Sequence, residues 1–279
     1  MINVGKLNTL KIIHSDHLQY TLSDNESTTV ALPHTNISSP LPKDAEEVTV
    51  FVYTNKQGVL TATTKKPYAT VGDYALLKVV AEAGNGVFMD LGIEKDLFVP
   101  KKEQRWPMVK GKSYLVYIYL DPVNNHMVGS SKLNKHVDRE EISVEAGDEV
   151  DLIIAEETDL GYNAIINNRH IGLLYTNEIF ENLRIGNKQK GWVKKVYPDG
   201  KIDLSLQPAG YSHILDSKEV ILDLLKKQNG KLKLGDKSSP DEVYKALKMS
   251  KKAFKKAIGA LYKERLVEIG DHEIKEIKK

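Results

Sequence analysis

Few residues of this chain are spaced as a reacting centre needs them. Gly111-Lys112-Ser113 has the lysine and hydroxyl that close a phosphate-cradling loop, but the earlier glycine such a loop requires is Trp106. Gly84 and Gly86 begin a dinucleotide-type glycine pattern that ends on Met89 instead of a third glycine. The eight histidines are scattered, and the closest two, His14 and His17, have no third ligand in reach. His34 and His170 read as ordinary surface or barrel residues. Cysteine is absent, which excludes disulfides and thiolate metal sites. No catalytic residue, metal or cofactor is therefore assigned. What the chain does offer is lysine in company with aromatic rings. In GNKQKGWVKKVYPDGKIDLSL, Gly186 to Leu206, Lys188, Lys190, Lys194 and Lys201 flank Tyr197, and Lys251, Lys252, Lys255 and Lys256 cluster further on. Rings stack on unpaired bases and cations neutralise phosphates, so this is chemistry for holding a polyanion.

Charge supports the same partner class. The chain has 40 Lys+Arg against 38 Asp+Glu, a net +2. Residues 211–279 carry 17 against 11, which is +6, leaving 23 against 27, or −4, for residues 1–210. A basic tail on a slightly acidic body suggests a polyanion contact at the C-terminal end. The longest apolar run, Tyr114 to Leu120, is far short of the ~18 residues of a membrane span. The opening MINVGKLNTLKIIHSD lacks the apolar core of a signal peptide. The expectation is a cytoplasmic protein without a membrane partner.

These residues need elements to position them. Lys188 to Tyr197 is rich in β-formers, Pro198-Asp199-Gly200 makes a turn, and Ile202, Leu204 and Leu206 alternate on a buried face. Residues 1–65 hold five short β-like runs: Leu7 to His14, Leu18 to Leu22, Thr28 to Leu32, Val48 to Tyr53 and Gly58 to Thr64. That count suits a small barrel. Residues 136–146 are charged and fit a linker. From Leu215 to Gln228 the periodicity turns helical, with Val220, Leu222, Leu224 and Leu225 available for a buried stripe. Ser239-Pro240-Asp241-Glu242 is a capping box, and Ser250 caps a longer helix whose core face is Phe254, Ala257, Ile258, Leu261 and Tyr262. Leu266 to Ile277 reads as a hairpin around Gly270-Asp271. Helix, strand, helix, turn, helix, hairpin is the order of a winged helix.

Gly172-Leu173-Leu174-Tyr175-Thr176-Asn177-Glu178, then Ile185-Gly186-Asn187-Lys188, then Asp199-Gly200-Lys201-Ile202-Asp203-Leu204-Ser205-Leu206 resembles the ribosomal S1-type domain, with Tyr175 at its His and Lys201 at its late Arg. That family is a five-stranded OB-fold barrel that binds single-stranded RNA on one face. A second copy, 66–135, carries Val71-Gly72-Asp73 and Gly84 to Leu91, and its glycine at 72 precedes Gly147 by 75 residues. The first copy, 1–65, is assigned by strand count and by its position. The whole order resembles the conserved virulence factor B family, through Gly235 to Glu242 and Ser250 to Gly259.

The resemblance implies a multidomain fold: three all-β S1-like OB-fold barrels in tandem, at 1–65, 66–135 and 147–208, followed by an α+β winged helix at 211–279. It implies a non-catalytic bacterial RNA-binding regulator of gene expression. The alternatives are a DNA-binding transcriptional regulator acting through the winged helix, and a scaffold that recruits proteins to ribosomes or RNA-decay machinery. The implied RNA-binding residues are Tyr162, Tyr175, Tyr197, Lys188, Lys190, Lys194 and Lys201 in the third barrel, and Phe88, Asp121 and His126 in the second. Tyr197 and Lys201 flank one turn, which should bring ring and cation together. Lys251, Lys252, Lys255 and Lys256 would add phosphate contacts from the winged helix. The helix start lacks Arg, Asn and Gln, which reduces its capacity to read base edges.

Overall fold

The computed structural model describes residues 1–24, 28–42, 44–179, 181–208, 213–247 and 249–277. Strands β1 (Leu7–Ser15), β2 (Gln19–Ser23), β3 (Thr29–Pro33), β4 (Glu47–Thr54) and β5 (Leu60–Thr63) close a first barrel in the order β1-β2-β3-β5-β4. Strands β6 (Tyr74–Ala83), β7 (Gly86–Met89), β8 (Leu97–Pro100), β9 (Ser113–Leu120) and β10 (Met127–Ser130) close a second with the same ring order. Strands β11 (Glu149–Thr158), β12 (Gly161–Ile166), β13 (His170–Tyr175), β14 (Lys188–Val196) and β15 (Ile202–Ser205) close the third.

The barrels share two devices. In each, the third and fifth strands pair parallel, at Ala31↔Thr61, Phe98↔Val128 and Leu173↔Asp203. In each, the first strand carries a bulge, at Ile12/His14, Val79/Ala81 and Ile154/Glu156. A bulge bends and twists its strand, so one long strand pairs with two neighbours and closes the ring. The first barrel is therefore built like the other two, as its strand count implies.

The barrels are packed on one another. Phe51 and Tyr53 of β4 are buried in a core shared with Leu77, Val79 and Met89 of the second barrel. Tyr74 and Leu115 of the second barrel bury against Ile153, Ala155 and Ile165 of the third. Residues 136–146 are more than the charged linker their composition suggests. Val144 is buried in the third barrel's core. The Ser143 hydroxyl lies 2.8 Å from Nε2 of fully buried His170, whose Nδ1 lies 2.9 Å from the Asp138 carbonyl. The stretch is a strap across the barrel, and His170 anchors it.

Helices α1 (His213–Lys227), α2 (Pro240–Leu247) and α3 (Lys251–Lys263) follow, with β16 (Lys231–Leu232), β17 (Val267–Ile269) and β18 (Ile274–Glu276) in a sheet ordered β16-β18-β17. Residue 211, the expected start of this unit, lies outside the described residues. Both caps form. The Ser239 N–H donates to Glu242 Oε2 at 2.6 Å, the Glu242 N–H donates to Ser239 Oγ at 3.2 Å, and Ser250 Oγ accepts from the Ala253 N–H at 3.1 Å. Two side chains depart from the expected stripes. On α1 the fully buried pair is Ile221 and Leu225, one turn apart, while Val220 is exposed. On α3, Phe254, Ala257, Ile258 and Leu261 are buried, whereas Tyr262 is 60% exposed. Among the described residues no helix is long and apolar enough to cross a membrane.

Candidate nucleic-acid interface

Alternation on β13 sets the third-barrel face. Leu174 points into the core, so Leu173 and Tyr175 point out. β12 lies beside it, with Asn163 opposite Leu173 and Gly161 opposite Tyr175. Gly161 has a φ of +149°, and a Cβ there would sit 1.9 Å from the Leu174 carbonyl oxygen. Only glycine lets the two strands close here, which fixes where Tyr175 stands. β15 pairs parallel on the other side and puts Asp203 next to Leu173. The turn after β14 closes through the Gly200 N–H to the Tyr197 carbonyl at 3.0 Å, with Gly200 at φ +79°.

Asp203 joins the two rings. The Tyr175 hydroxyl donates to Asp203 Oδ1 at 3.2 Å, and the Tyr197 hydroxyl donates to Oδ2 at 2.9 Å. The Asp203 charge holds the Tyr175 hydroxyl above its ordinary pKa, and the hydrogen bond to Asp203 does the same for Tyr197. Both therefore stay neutral donors across the physiological range. A bulge in β14 between Val193 and Lys195 sets Lys195 opposite Asp203. Its ammonium lies 4.3 Å from the centroid of the Tyr197 ring, a cation–π contact. The face opens as a groove of about 530 Å³ lined by Asn163, Leu173, Tyr175, Tyr197, Asp203, Lys201 and Arg139.

The other sequence-derived residues are placed differently. Lys201 pairs with Asp199, 2.7 Å distant, and the cation on the Tyr197 ring is Lys195. Tyr162 packs against the barrel core and does not join the group, because it shares the inward phase of Ala164 and Ile166. Lys194, the extra residue of the bulge, pairs with Glu178. Lys188 and Lys190 lie where β14 pairs with β11, on the opposite side of the ring, and Lys190 is 2.9 Å from Asp151. In the second barrel Phe88 meets Phe98 with ring centroids 5.1 Å apart. Asp121 Oδ1 accepts from the Val123 N–H in its own turn, and that turn abuts the first barrel through the Thr54 hydroxyl on the Asn125 carbonyl. Burial, followed by the nearby Lys95 charge, lowers the pKa of His126. On α3, Lys252, Lys255 and Lys256 are exposed and Lys251 half-buried, with Lys255 already 2.9 Å from Asp236.

Sequence reasoning missed Asp203, Lys195 and Arg139. Asp203 was findable, since it is the outward residue between Ile202 and Leu204. Lys195 was not, because the bulge changes which residue of β14 faces out. Among the described residues no His, Asp or Glu cluster could hold a metal ion.

Residues 4–65 match the S1 domain family model, and residues 219–275 match the CvfB-like winged helix domain. The S1 match thus falls on the first barrel, where the motif is faintest to the eye. Three OB-like barrels and a winged helix define a multidomain protein assembled from nucleic-acid-binding module types. The chain is 31% identical to the uncharacterized protein YitL of Bacillus subtilis, over 93% of this chain and 89% of that one. It is 27% identical to Conserved virulence factor B of Staphylococcus epidermidis, over 95% and 92%. The chain belongs to the conserved virulence factor B family. A crystal structure of a multidomain protein with nucleic acid binding domains from Streptococcus pneumoniae aligns over 98% of both chains, at 22% identity and a TM-score of 0.41.

Proposed function

We propose that this protein is a cytoplasmic, non-catalytic regulator of gene expression that binds single-stranded RNA through its barrels, arranged as units 1–65, 66–135, 147–208 and 211–279. One observation carries the reading: Tyr175 and Tyr197 are held on one open face by a shared carboxylate, with Lys195 on the second ring. Rings fixed in place and open to solvent suit unpaired bases, which stack on an aromatic surface; a duplex hides those faces. The winged helix adds phosphate contacts from Lys252 and Lys256. Its exposed lysines position a backbone but read few base edges, which weighs against a sequence-specific duplex-DNA regulator. Competition filter binding on the full chain with matched single-stranded RNA, single-stranded DNA and duplex DNA tests the reading. Single-stranded RNA is expected to bind most tightly at physiological salt. Tighter, sequence-specific binding of the duplex would overturn it.

A further inference from the structure

We propose that the cleft between the second and third barrels is a base-binding site in its own right, where Trp106 stacks on an unpaired nucleobase of a strand that also crosses the third-barrel face. The inference rests on the single-strand reading above. The cleft encloses about 350 Å³, within the range of small-ligand pockets. Its walls are apolar: Leu76 and Leu115 from the second barrel, Ala155 and Ile171 from the third. Trp106 lines it and is 70% exposed. A lone exposed apolar side chain is ordinary, but Leu76 and Ile185, also exposed, line the same cleft. Arg105 beside the tryptophan ties its segment to Glu156 of the third barrel through two contacts, at 2.8 and 2.7 Å.

Two further observations select the occupant. Asn134 and Ile171 line both this cleft and the Tyr175–Tyr197 groove, so one ligand can run from one to the other without leaving the surface. The chain segment that carries Trp106 is cationic. Trp106 lies in the segment 101–112, with Lys101, Lys102, Arg105, Lys110 and Lys112 against a single acid, Glu103, which accepts from the Ser130 hydroxyl. Lys132, Lys135 and Arg139, close in sequence to the shared lining residue Asn134, form no ion pair among the described residues. A ring for the base, an apolar slot and unpaired cations for the backbone match a single-stranded polyanion. An uncharged peptide would satisfy the slot but not the neighbouring cations.

The test uses the full chain and single-stranded RNA of mixed sequence, about 16 nucleotides long, the upper end of one OB-fold site. The chain has two tryptophans, so Trp192→Phe leaves Trp106 as the reporter. Its emission should be quenched in step with the anisotropy of a dye on the RNA. Separately, Trp106→Ala should weaken binding by roughly fivefold or more, while Trp106→Phe keeps most of the affinity. RNA that binds without changing Trp106 emission, and with full affinity in a folded Trp106→Ala chain, would overturn the site and leave the third-barrel reading standing. Failure of the unmutated chain to bind RNA would overturn both.

Discussion

Replacing Asp203 by alanine sets two effects against each other on the third-barrel face. The carboxylate is a negative charge where a polyanion is expected, so removing it relieves repulsion. A phosphate ~8 Å away in a water-like dielectric is repelled by about 0.5 kcal/mol, and physiological salt reduces that to about 0.2 kcal/mol. The gain in affinity is less than about twofold. Against this, Asp203 is the acceptor for both the Tyr175 and the Tyr197 hydroxyl, at 3.2 and 2.9 Å. Without it both rings turn freely and must be immobilised again on binding. That costs roughly twofold to tenfold per ring, about fivefold or more for the pair. Preorganisation outweighs repulsion, and Asp203→Ala should weaken single-stranded RNA binding by roughly threefold or more. Asp203→Asn, which removes the charge but keeps an acceptor for one hydroxyl, should fall between. Fluorescence anisotropy at physiological salt reads the affinities, and a thermal melt shows that the variants are folded. Tighter binding by Asp203→Ala would refute the reasoning, since it would mean the carboxylate only repels.

Two further outcomes follow from named side chains. Lys252→Gln with Lys256→Gln should lower the slope of log K against log salt for single-stranded RNA by up to ~1.4, or ~0.7 per contact; adding Lys255→Gln should change little, because Asp236 already pairs with it at 2.9 Å. An unchanged slope in the double variant would leave these lysines as a solvated surface. Burial, followed by the Glu94 charge, pushes Tyr53 at the junction of the first two barrels up to about 12 from 10.0. A raised folded pKa means this stability is fully present below pH 10 and lost as pH rises toward 12. The urea midpoint of Tyr53→Phe should therefore fall less over that interval than that of the unmutated chain, and equal falls would count against it.

Much of the architecture is legible because it is local. The five β-like runs of residues 1–65 become β1 to β5 within a residue or two, since alternation and turn residues act over a few positions. The capping box at Ser239 and the cap at Ser250 form as read, because a cap needs only residues three apart. Where periodicity had to choose between adjacent faces it was less secure. Tyr262 satisfies the helical spacing of a core residue, yet α1 and the sheet cover only the stripe through Phe254, Ile258 and Leu261.

By itself, then, the sequence determined the order of elements, the strand runs of each barrel, the winged helix, and the presence of Tyr175 and Tyr197 beside a tight turn. It did not determine which charges meet those rings. That depends on strands far apart in the chain: a parallel pairing brings Asp203 next to Leu173, and one bulge in β14 turns Lys195 rather than Lys194 toward Asp203. A single extra residue in a strand reverses which side chain faces out, so register decides the face. The cleft at Trp106 is still further from the sequence, because its two walls belong to separate barrels and exist only once Tyr74 and Leu115 have packed against Ile153 and Ile165.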